Sequence, residues 1–178
     1  MKIEKEKIII REVNNKDAEQ LCLWWNNGEI MSCVGMPLGL NTTVEAVKKK
    51  IERALSENLH IHVIEYENNL IGEMNYVEQD NNSCLISIKI CDSKMQNKGL
   101  GKIVLSLFIK ELFENVGFEK IFVTMDFRNK RAQRVFEKLG FKKKSTDINS
   151  WIDQMGNTQS SVTYILIKDD FNSYADYL

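Results

Sequence analysis

Residues 84–115 contain a strand and a helix joined by a short segment that carries two glycines. Apolar and polar residues alternate from Cys84 to Ile90, the period-two pattern of a half-buried strand. Residues 99–115 then follow a helical period, with an apolar stripe made by Leu100, Ile103, Val104, Leu107, Phe108 and Leu112. A strand that feeds a buried helix predicts an α/β or α+β fold, in which helices cover a mixed sheet.

The rest of the chain supports the same fold class. The sequence predicts the element order βααβββαβαβ, with helices on both faces of the sheet. Lys142–Ser161 is predicted to be a long polar connection before a last strand, and Thr42 and Glu45 fit a helix capping box. The predicted strands are residues 8–13, 61–66, 70–77, 84–90, 121–125 and 162–167, and the predicted helices are residues 17–31, 43–55, 99–115 and 130–139.

Composition limits the classes of protein to which the chain can belong. Its 178 residues carry a net charge of −1, which argues against a dedicated nucleic-acid binder, and they predict one domain, 1–178. No apolar run is long enough to span a bilayer, and the charged amino-terminal residues do not resemble a signal peptide. We therefore expect a cytoplasmic protein with no nucleic-acid and no membrane partner.

Histidine and cysteine give no clear metal site. His60 and His62 would share one face of a strand, but no third ligand is apparent near them. The four cysteines, Cys22, Cys33, Cys84 and Cys91, have no metal-binding or redox spacing. We expect buried reduced thiols and no metal.

The segment Gln96–Lys102 is the first candidate binding site. Gly99 and Gly101 remove Cβ atoms where the main chain opens a helix, and the free N–H groups of a helix start attract an anion such as a pyrophosphate. Lys98 and Lys102 add positive charge. The segment has neither the Walker pattern nor the third glycine of a dinucleotide fingerprint, and a simple tight turn is the alternative interpretation.

A basic region between residues 128 and 144 is the second candidate. It carries eight basic residues and one acidic residue, Glu137, in a chain that is almost neutral overall. Such asymmetry indicates a polyanionic ligand at one end of the domain, although a solvated helix face is the alternative.

Two sequence blocks resemble one known family. Gln96-Asn97-Lys98-Gly99-Leu100-Gly101 is similar to the Q/R-x-x-G-x-G/A signature of the GNAT superfamily of acyl-CoA-dependent N-acetyltransferases. The segment from Asn129 to Phe141 resembles that family's second block, N-x-x-A-x-x-x-Y-E-K-x-G-F. The blocks lie within a cofactor core of about residues 84–141, and the predicted topology extends the resemblance over nearly the whole chain.

The resemblance implies a central, mostly antiparallel sheet and acetyl-CoA as cosubstrate. The cosubstrate would lie in an opening between the strands that end near Ile90 and start at Ile121. Main-chain groups from Ile88 to Cys91 would bind the pantetheine arm and polarise the thioester, so that an amine could attack it directly. The implied cofactor-binding residues are Ile88, Ile90, Cys91, Gln96, Asn97, Lys98, Gly99, Leu100, Gly101, Lys102, Asn129, Arg131 and Arg134.

The second block departs from the family at one position. Phe136 stands where the family has a tyrosine that protonates the departing thiolate, and a phenyl ring has no such proton. Tyr76, Ser87 and water are the alternatives as donors. Glu73 and Asp126 are the candidate catalytic bases, with a water chain as the alternative.

The residues that would bind the acceptor substrate carry the weakest sequence signal. Trp25, Met36 and Tyr76 are the candidate substrate-binding residues, and Trp25-Asn26-Asn27 resembles the opening of family members that act on ribosomal proteins or aminoglycosides. We expect a primary amine of a small molecule or of a protein amino terminus. Two alternatives are a CoA-binding module without turnover and an unrelated nucleotide-binding domain. A homodimer that pairs Val162–Ile167 is a further expectation.

Overall fold

One eight-stranded sheet organises residues 1–176, which are the residues that the computed structural model describes. Five α-helices, a π-helical segment at Leu112–Val116 and several short 3-10 turns accompany the strands. The strands are β1 (Lys2–Lys5), β2 (Ile8–Glu12), β3 (Leu59–Tyr66), β4 (Asn69–Gln79), β5 (Ser83–Ile90), β6 (Lys120–Asp126), β7 (Lys142–Ile152) and β8 (Thr158–Ile167). The helices are α1 (Ala18–Asn26), α2 (Gly28–Met31), α3 (Val44–Ala54), α4 (Leu100–Glu111) and α5 (Lys130–Lys138).

The strands lie in the order β1-β2-β3-β4-β5-β6-β8-β7, and neighbours are antiparallel except for β5 and β6. That parallel pair is short. Ser83–Leu85 of β5 pair with Lys120–Phe122 of β6, and within residues 1–176 the ladder goes no further. The two strands therefore diverge towards Ile90, which confirms the predicted opening between them.

Helices cover both faces of the sheet, as predicted. Consecutive residues of β3 show the division, because Val63 belongs to the buried cluster that contains Leu21 and Trp24 of α1, whereas Ile64 belongs to the cluster that contains Phe108 of α4. Helix α3 joins α1 on the first face. Phe136 of α5 belongs to the larger core around α4.

The carboxyl-terminal part of the sheet corrects two predictions. Residues 142–161 are not a polar connection, since β7 forms there and pairs with β8. The predicted edge position of Val162–Ile167 is also wrong, because β8 lies between β6 and β7. A dimer formed by pairing this strand would require β7 to leave, so the structure does not support that route to a homodimer.

The amino-terminal part differs in smaller ways. β1 precedes the predicted first strand and pairs with it. The predicted helix 17–31 is broken at Asn27, whose side chain accepts hydrogen bonds from the N–H groups of Glu29 and Ile30 and starts α2. Helix α3 is capped by Thr43, whose hydroxyl accepts from the Ala46 N–H, so the capping box predicted from Thr42 is wrong by one residue.

None of the helices in residues 1–176 combines the length and the apolar character needed to cross a membrane.

Candidate active site

A cavity of about 530 Å³ lies where β5 and β6 diverge. Its wall is contributed by α2 and the turn after it, the end of β5, the loop into α4, and α5. The lining residues are Glu29, Ile30, Cys33, Ile88, Lys89, Ile90, Met95, Gln96, Asn97, Gly99, Gly101, Lys102, Leu105, Asn129, Arg131, Ala132, Val135, Phe136 and Lys138. Nine of the thirteen predicted cofactor-binding residues are among them.

The main chain of β5 faces this cavity at alternate residues. The Cys91 N–H donates to the Ile71 carbonyl of β4 at 2.8 Å, so in the antiparallel ladder Lys89 and Cys91 direct their main-chain groups towards β4. Ile88 and Ile90 consequently direct theirs towards the opening. The prediction that all four residues from Ile88 to Cys91 offer main-chain groups is therefore corrected, and Ile88 and Ile90 are the residues that face the cavity.

Gln96 fixes the loop that follows β5. Its side-chain amide donates to the Ile90 carbonyl oxygen at 2.8 Å, across a turn that contains Ser93–Met95. The bond ties the start of the glycine segment to the end of the strand. The Ile90 carbonyl thus accepts a hydrogen bond from within the chain, which leaves the Ile88 main chain and the Ile90 N–H as the polar groups of β5 at the opening.

The first turn of α4 has no side-chain cap, because Gly99 occupies the N-cap position with a φ of 81°. That left-handed conformation favours glycine. A Cβ added at Gly99 would meet no described atom within 4 Å, and one at Gly101 would meet only Ile90 Cγ1, at 3.8 Å. Both glycines line the cavity, so each missing Cβ leaves free space beside the main-chain N–H groups of a helix start. This geometry suits an anionic group close to the backbone.

Helix α5 and its N-cap contribute polar groups and one aromatic ring to the cavity wall. Asn129 caps the helix by accepting from the Ala132 N–H at 3.0 Å, which leaves its side-chain NH₂ to donate. Arg131 follows on the cavity wall and is exposed. Phe136 lies buried at the same wall, in edge contact with Phe141.

Helix α2 and the turn after it form the opposite wall, which the sequence analysis missed. Glu29, Ile30 and Cys33 reach the cavity from there. The hairpin between β7 and β8 supports the following loop, because the Gln154 side chain accepts from the Leu38 N–H and donates to the Gly39 carbonyl. No local motif marks these residues, since tertiary contacts alone place them.

Behind this wall lies a buried ion pair. Lys89 Nζ is 2.5 Å from Glu73 Oε1, and their side chains are 14% and 4% exposed. The Trp25 indole N–H donates to both carboxylate oxygens of Glu73, at 3.0 and 2.9 Å. Lys89 lines the cavity, whereas Glu73 and Trp25 stand one layer behind it.

Several predicted site residues lie elsewhere. Asp126 ends β6, where hydrogen bonds from the Arg128 side chain lower the pKa of its carboxyl group. Tyr76 stacks on His60 inside the larger core, and burial raises the pKa of its phenol to about 12. Met36 packs, half-buried, against the core of α1 and α3.

Four predicted cofactor-binding residues are also outside the cavity lining. Leu100 and Cys91 are buried in the two cores, and burial raises the pKa of the Cys91 thiol to about 12. Lys98 and Arg134 are exposed near the cavity segments but not on the wall. Any contact they make with a ligand must therefore come through the main chain or from the rim.

Within residues 1–176 no three His, Cys, Asp or Glu side chains come together in a group that could hold a metal ion. His60 instead lies 2.7 Å from Glu78 through Nε2.

Comparison with known proteins identifies the family. The sequence profile of the acetyltransferase (GNAT) domain matches residues 7–142, which is most of the chain. The chain belongs to the GNAT family of acetyltransferases. The predicted membership and the predicted fold class are thereby confirmed.

Solved GNAT structures share the whole architecture. A spermidine N-acetyltransferase from Vibrio cholerae, determined with CoA and spermine, superposes with a TM-score of 0.82 at 17% identity and covers 93% of this chain and 98% of its own. A probable acetyltransferase superposes with a TM-score of 0.81 at 19% identity, and the match covers 96% of this chain and 99% of that chain. A GNAT-family acetyltransferase from Bacillus anthracis superposes with a TM-score of 0.77 at 20% identity, and the match covers 95% of this chain and 99% of that chain. At these identities the likeness shows the fold alone.

A curated relative is closer in sequence. The uncharacterized protein MJ1062 of Methanocaldococcus jannaschii is 29% identical over 153 residues, which are 84% of this chain and 31% of that protein. This GNAT chain therefore spans about a third of its curated relative's length.

Proposed function

We propose that the protein transfers the acetyl group of acetyl-CoA to a primary amine, of a small molecule or of a protein amino terminus, by direct attack in a ternary complex. The observation that carries the proposal is the continuous cavity from the uncapped start of α4 to the divergent end of β5. It pairs an anion site with an exposed strand backbone. GNAT membership and the CoA complex of the spermidine N-acetyltransferase support the choice of ligand.

Each part of the cavity wall has a separate task in this proposal. The N–H groups of the first turn of α4 bind the diphosphate, with Lys102 and Arg131 adding positive charge. The Asn129 amide and the Ile88 main chain position the pantetheine arm, and the Ile88 N–H stabilises negative charge that develops on the acetyl oxygen. When bound, acetyl-CoA supplies an activated thioester. Glu29, Ile30 and Cys33 border the space left for the acceptor.

The proposed mechanism needs a proton donor for the departing thiolate and a base for the attacking amine. Phe136 holds the wall position where other family members carry a phenol, so water or another group must protonate the thiolate. Glu73 and Asp126 remain proposed bases, but the first is engaged by Trp25 and Lys89 and the second by Arg128. Glu29 joins them as the one acidic residue among the described residues of the cavity wall.

Calorimetry with acetyl-CoA, CoA and ATP tests the binding step. We expect acetyl-CoA to bind more tightly than ATP, whereas tighter binding of ATP would favour the unrelated nucleotide-binding domain. Release of free thiol with a panel of amines then tests turnover.

Two glycines provide a matched pair of variants. Gly99 and Gly117 have φ values of 81° and 93°, and neither has a described atom within 4 Å of an added Cβ, but only Gly99 lines the cavity. Alanine at either position imposes similar backbone strain, on the order of 1 kcal/mol. We expect Gly99→Ala to lose affinity for acetyl-CoA and Gly117→Ala to keep it. Equal affinities in the two folded variants would contradict the proposal.

Phe136 supports a second candidate function, a CoA-binding module without turnover. The buried phenyl ring at the cavity wall leaves the usual proton donor absent. Tight binding of acetyl-CoA without thiol release for any amine, in both the native chain and Phe136→Tyr, would favour the module.

A further inference from the structure

The ion pair between Glu73 and Lys89 places an amine on the wall of the cavity. The two residues are direct cross-strand neighbours in the β4–β5 ladder, and Lys89 Nζ also lies 3.4 Å from Met31 Sδ. Lys89 is flanked by Ile88 and Ile90, whose main chains face the opening. In the proposed function, on which this inference rests, the thioester lies beside those same main chains.

Lys89 differs in its surroundings from the other lysines of the cavity wall. Lys102 Nζ lies 3.6 Å from the centre of the Tyr174 ring, and Lys138 is exposed on α5. Lys89 is largely buried and has a carboxylate at 2.5 Å. An ammonium in such a pair has no lone pair for attack, because its fourth bond is to a proton that the carboxylate holds in a hydrogen bond.

Trp25 holds the Glu73 carboxylate in its position beside Lys89. The Trp25 N–H binds both of its oxygens, so the carboxylate cannot rotate away from Lys89 without losing that bond. The two opposite charges compensate each other, which is what allows both side chains to be buried. Removal of the carboxylate would leave Lys89 largely buried without its counter-charge, which destabilises the ammonium form.

We propose that Lys89 is a self-acetylation site of this protein and that Glu73 holds the reaction back. Lys89 gives one proton of its ammonium group to water, and its Nζ then forms a bond to the acetyl carbon. The C–S bond breaks, and the second proton that Nζ loses passes through water to the thiolate of CoA. One acetyl group is consumed for each chain. The acetylated side chain can no longer neutralise Glu73 and occupies the space beside Cys33, so the modified protein is inactive.

The test is acetyl-CoA added to the purified chain without an acceptor, followed by intact-mass measurement and peptide mapping. Glu73→Gln keeps the volume and can still accept from Trp25, so we expect a folded variant. We expect one acetyl group per chain in Glu73→Gln, on Lys89, at least tenfold faster than in the native chain. Glu73→Gln combined with Lys89→Arg is the control and should lose that label.

Exposed lysines supply the internal reference. Lys49 on α3 and Lys110 on α4 are exposed and lie outside the cavity lining, so excess CoA should suppress labelling of Lys89 but not of these two residues. If folded Glu73→Gln is labelled at Lys89 no faster than at Lys49 and Lys110, the inference is wrong. Calorimetry on the same sample separates the causes: tight CoA binding with no Lys89 label refutes the inference alone, whereas no CoA binding refutes the proposed function.

A measurement on the native chain covers the case in which Glu73→Gln does not fold. Acetyl-CoA without an acceptor should slowly label Lys89 of the native chain, and excess CoA should block that label because Lys89 lines the cavity. Labelling that CoA does not block would overturn the inference.

Discussion

Replacing Gly101 with alanine should make the protein more stable and a poorer binder of acetyl-CoA. Gly101 is the second residue of α4, and an added Cβ would meet only Ile90 Cγ1, at the ordinary contact distance of 3.8 Å. Alanine in a helix is more favourable than glycine by roughly 0.5–1 kcal/mol. For a chain of this size that gain raises the melting temperature by about 1–4 °C.

The effect on binding has the opposite sign. The added methyl group projects into the cavity beside the N–H groups that are proposed to hold the diphosphate. A charge-assisted hydrogen bond contributes about 1.5–3 kcal/mol, and each 1.4 kcal/mol corresponds to about tenfold in affinity. Loss of one such bond should therefore weaken binding of acetyl-CoA by about 10- to 100-fold.

Calorimetry and thermal unfolding on the same samples measure both effects. Lys110→Ala provides the control, because Lys110 lies on the exposed side of the same helix, outside the cavity lining, and its ion pair with Glu114 is long, at 4.0 Å. It should leave acetyl-CoA binding unchanged. If Gly101→Ala is folded and binds acetyl-CoA within twofold of the native chain, the diphosphate does not sit at the start of α4.

Three further changes test separate parts of the structure. Burial lowers the pKa of His62 to about 4 from 6.5, so stability should be fully present above pH 6.5 and fall by about 3 kcal/mol as the pH drops to 4. Urea unfolding should show this slope flattened in His62→Leu but not in His60→Gln, and an unchanged slope in His62→Leu would refute the assignment. Gln96→Met removes the hydrogen bond to the Ile90 carbonyl and should lower the free energy of unfolding by about 1 kcal/mol. Because that bond fixes the loop before α4, calorimetry should also show acetyl-CoA binding weakened about tenfold. Phe136→Tyr should raise the rate of thiol release several-fold if protonation of the thiolate limits turnover, and an unchanged rate would show that it does not.

The cofactor side of the cavity was predictable because its information is local. A strand period, two glycines and a helical stripe follow one another within residues 84–115, and the structure has β5, the loop and α4 in those places. Main-chain groups perform most of the proposed binding there, so strand and helix boundaries alone locate them. The ladder alternation that removes Cys91 from the opening required knowledge of which strand pairs with β5.

Strand β7 could not be predicted because it lies at the edge of the sheet. Lys142, Lys143 and Lys144 open it, and the ladder shifts register between Asp147 and Trp151, where Asn149 has a φ of 51°. Charged residues and a bulge protect an edge strand from pairing with other chains. The same features remove the apolar alternation by which a strand is recognised in sequence.

The acceptor side could not be predicted because its residues are brought together by tertiary contacts. The same reason explains why the structure gives Glu73 a different role from the predicted one. The sequence places Glu73 on a strand but does not show which side chains contact it. It therefore predicts a catalytic base near the opening. The structure adds Trp25 from α1 and Lys89 from β5, and with both attached Glu73 is a counter-ion whose cation, not itself, faces the cavity. In the self-acetylation inference, Glu73 affects acetyl transfer through its ion pair with Lys89. Loss of catalysis in a Glu73 variant is therefore ambiguous unless the mass of Lys89 is measured in the same sample.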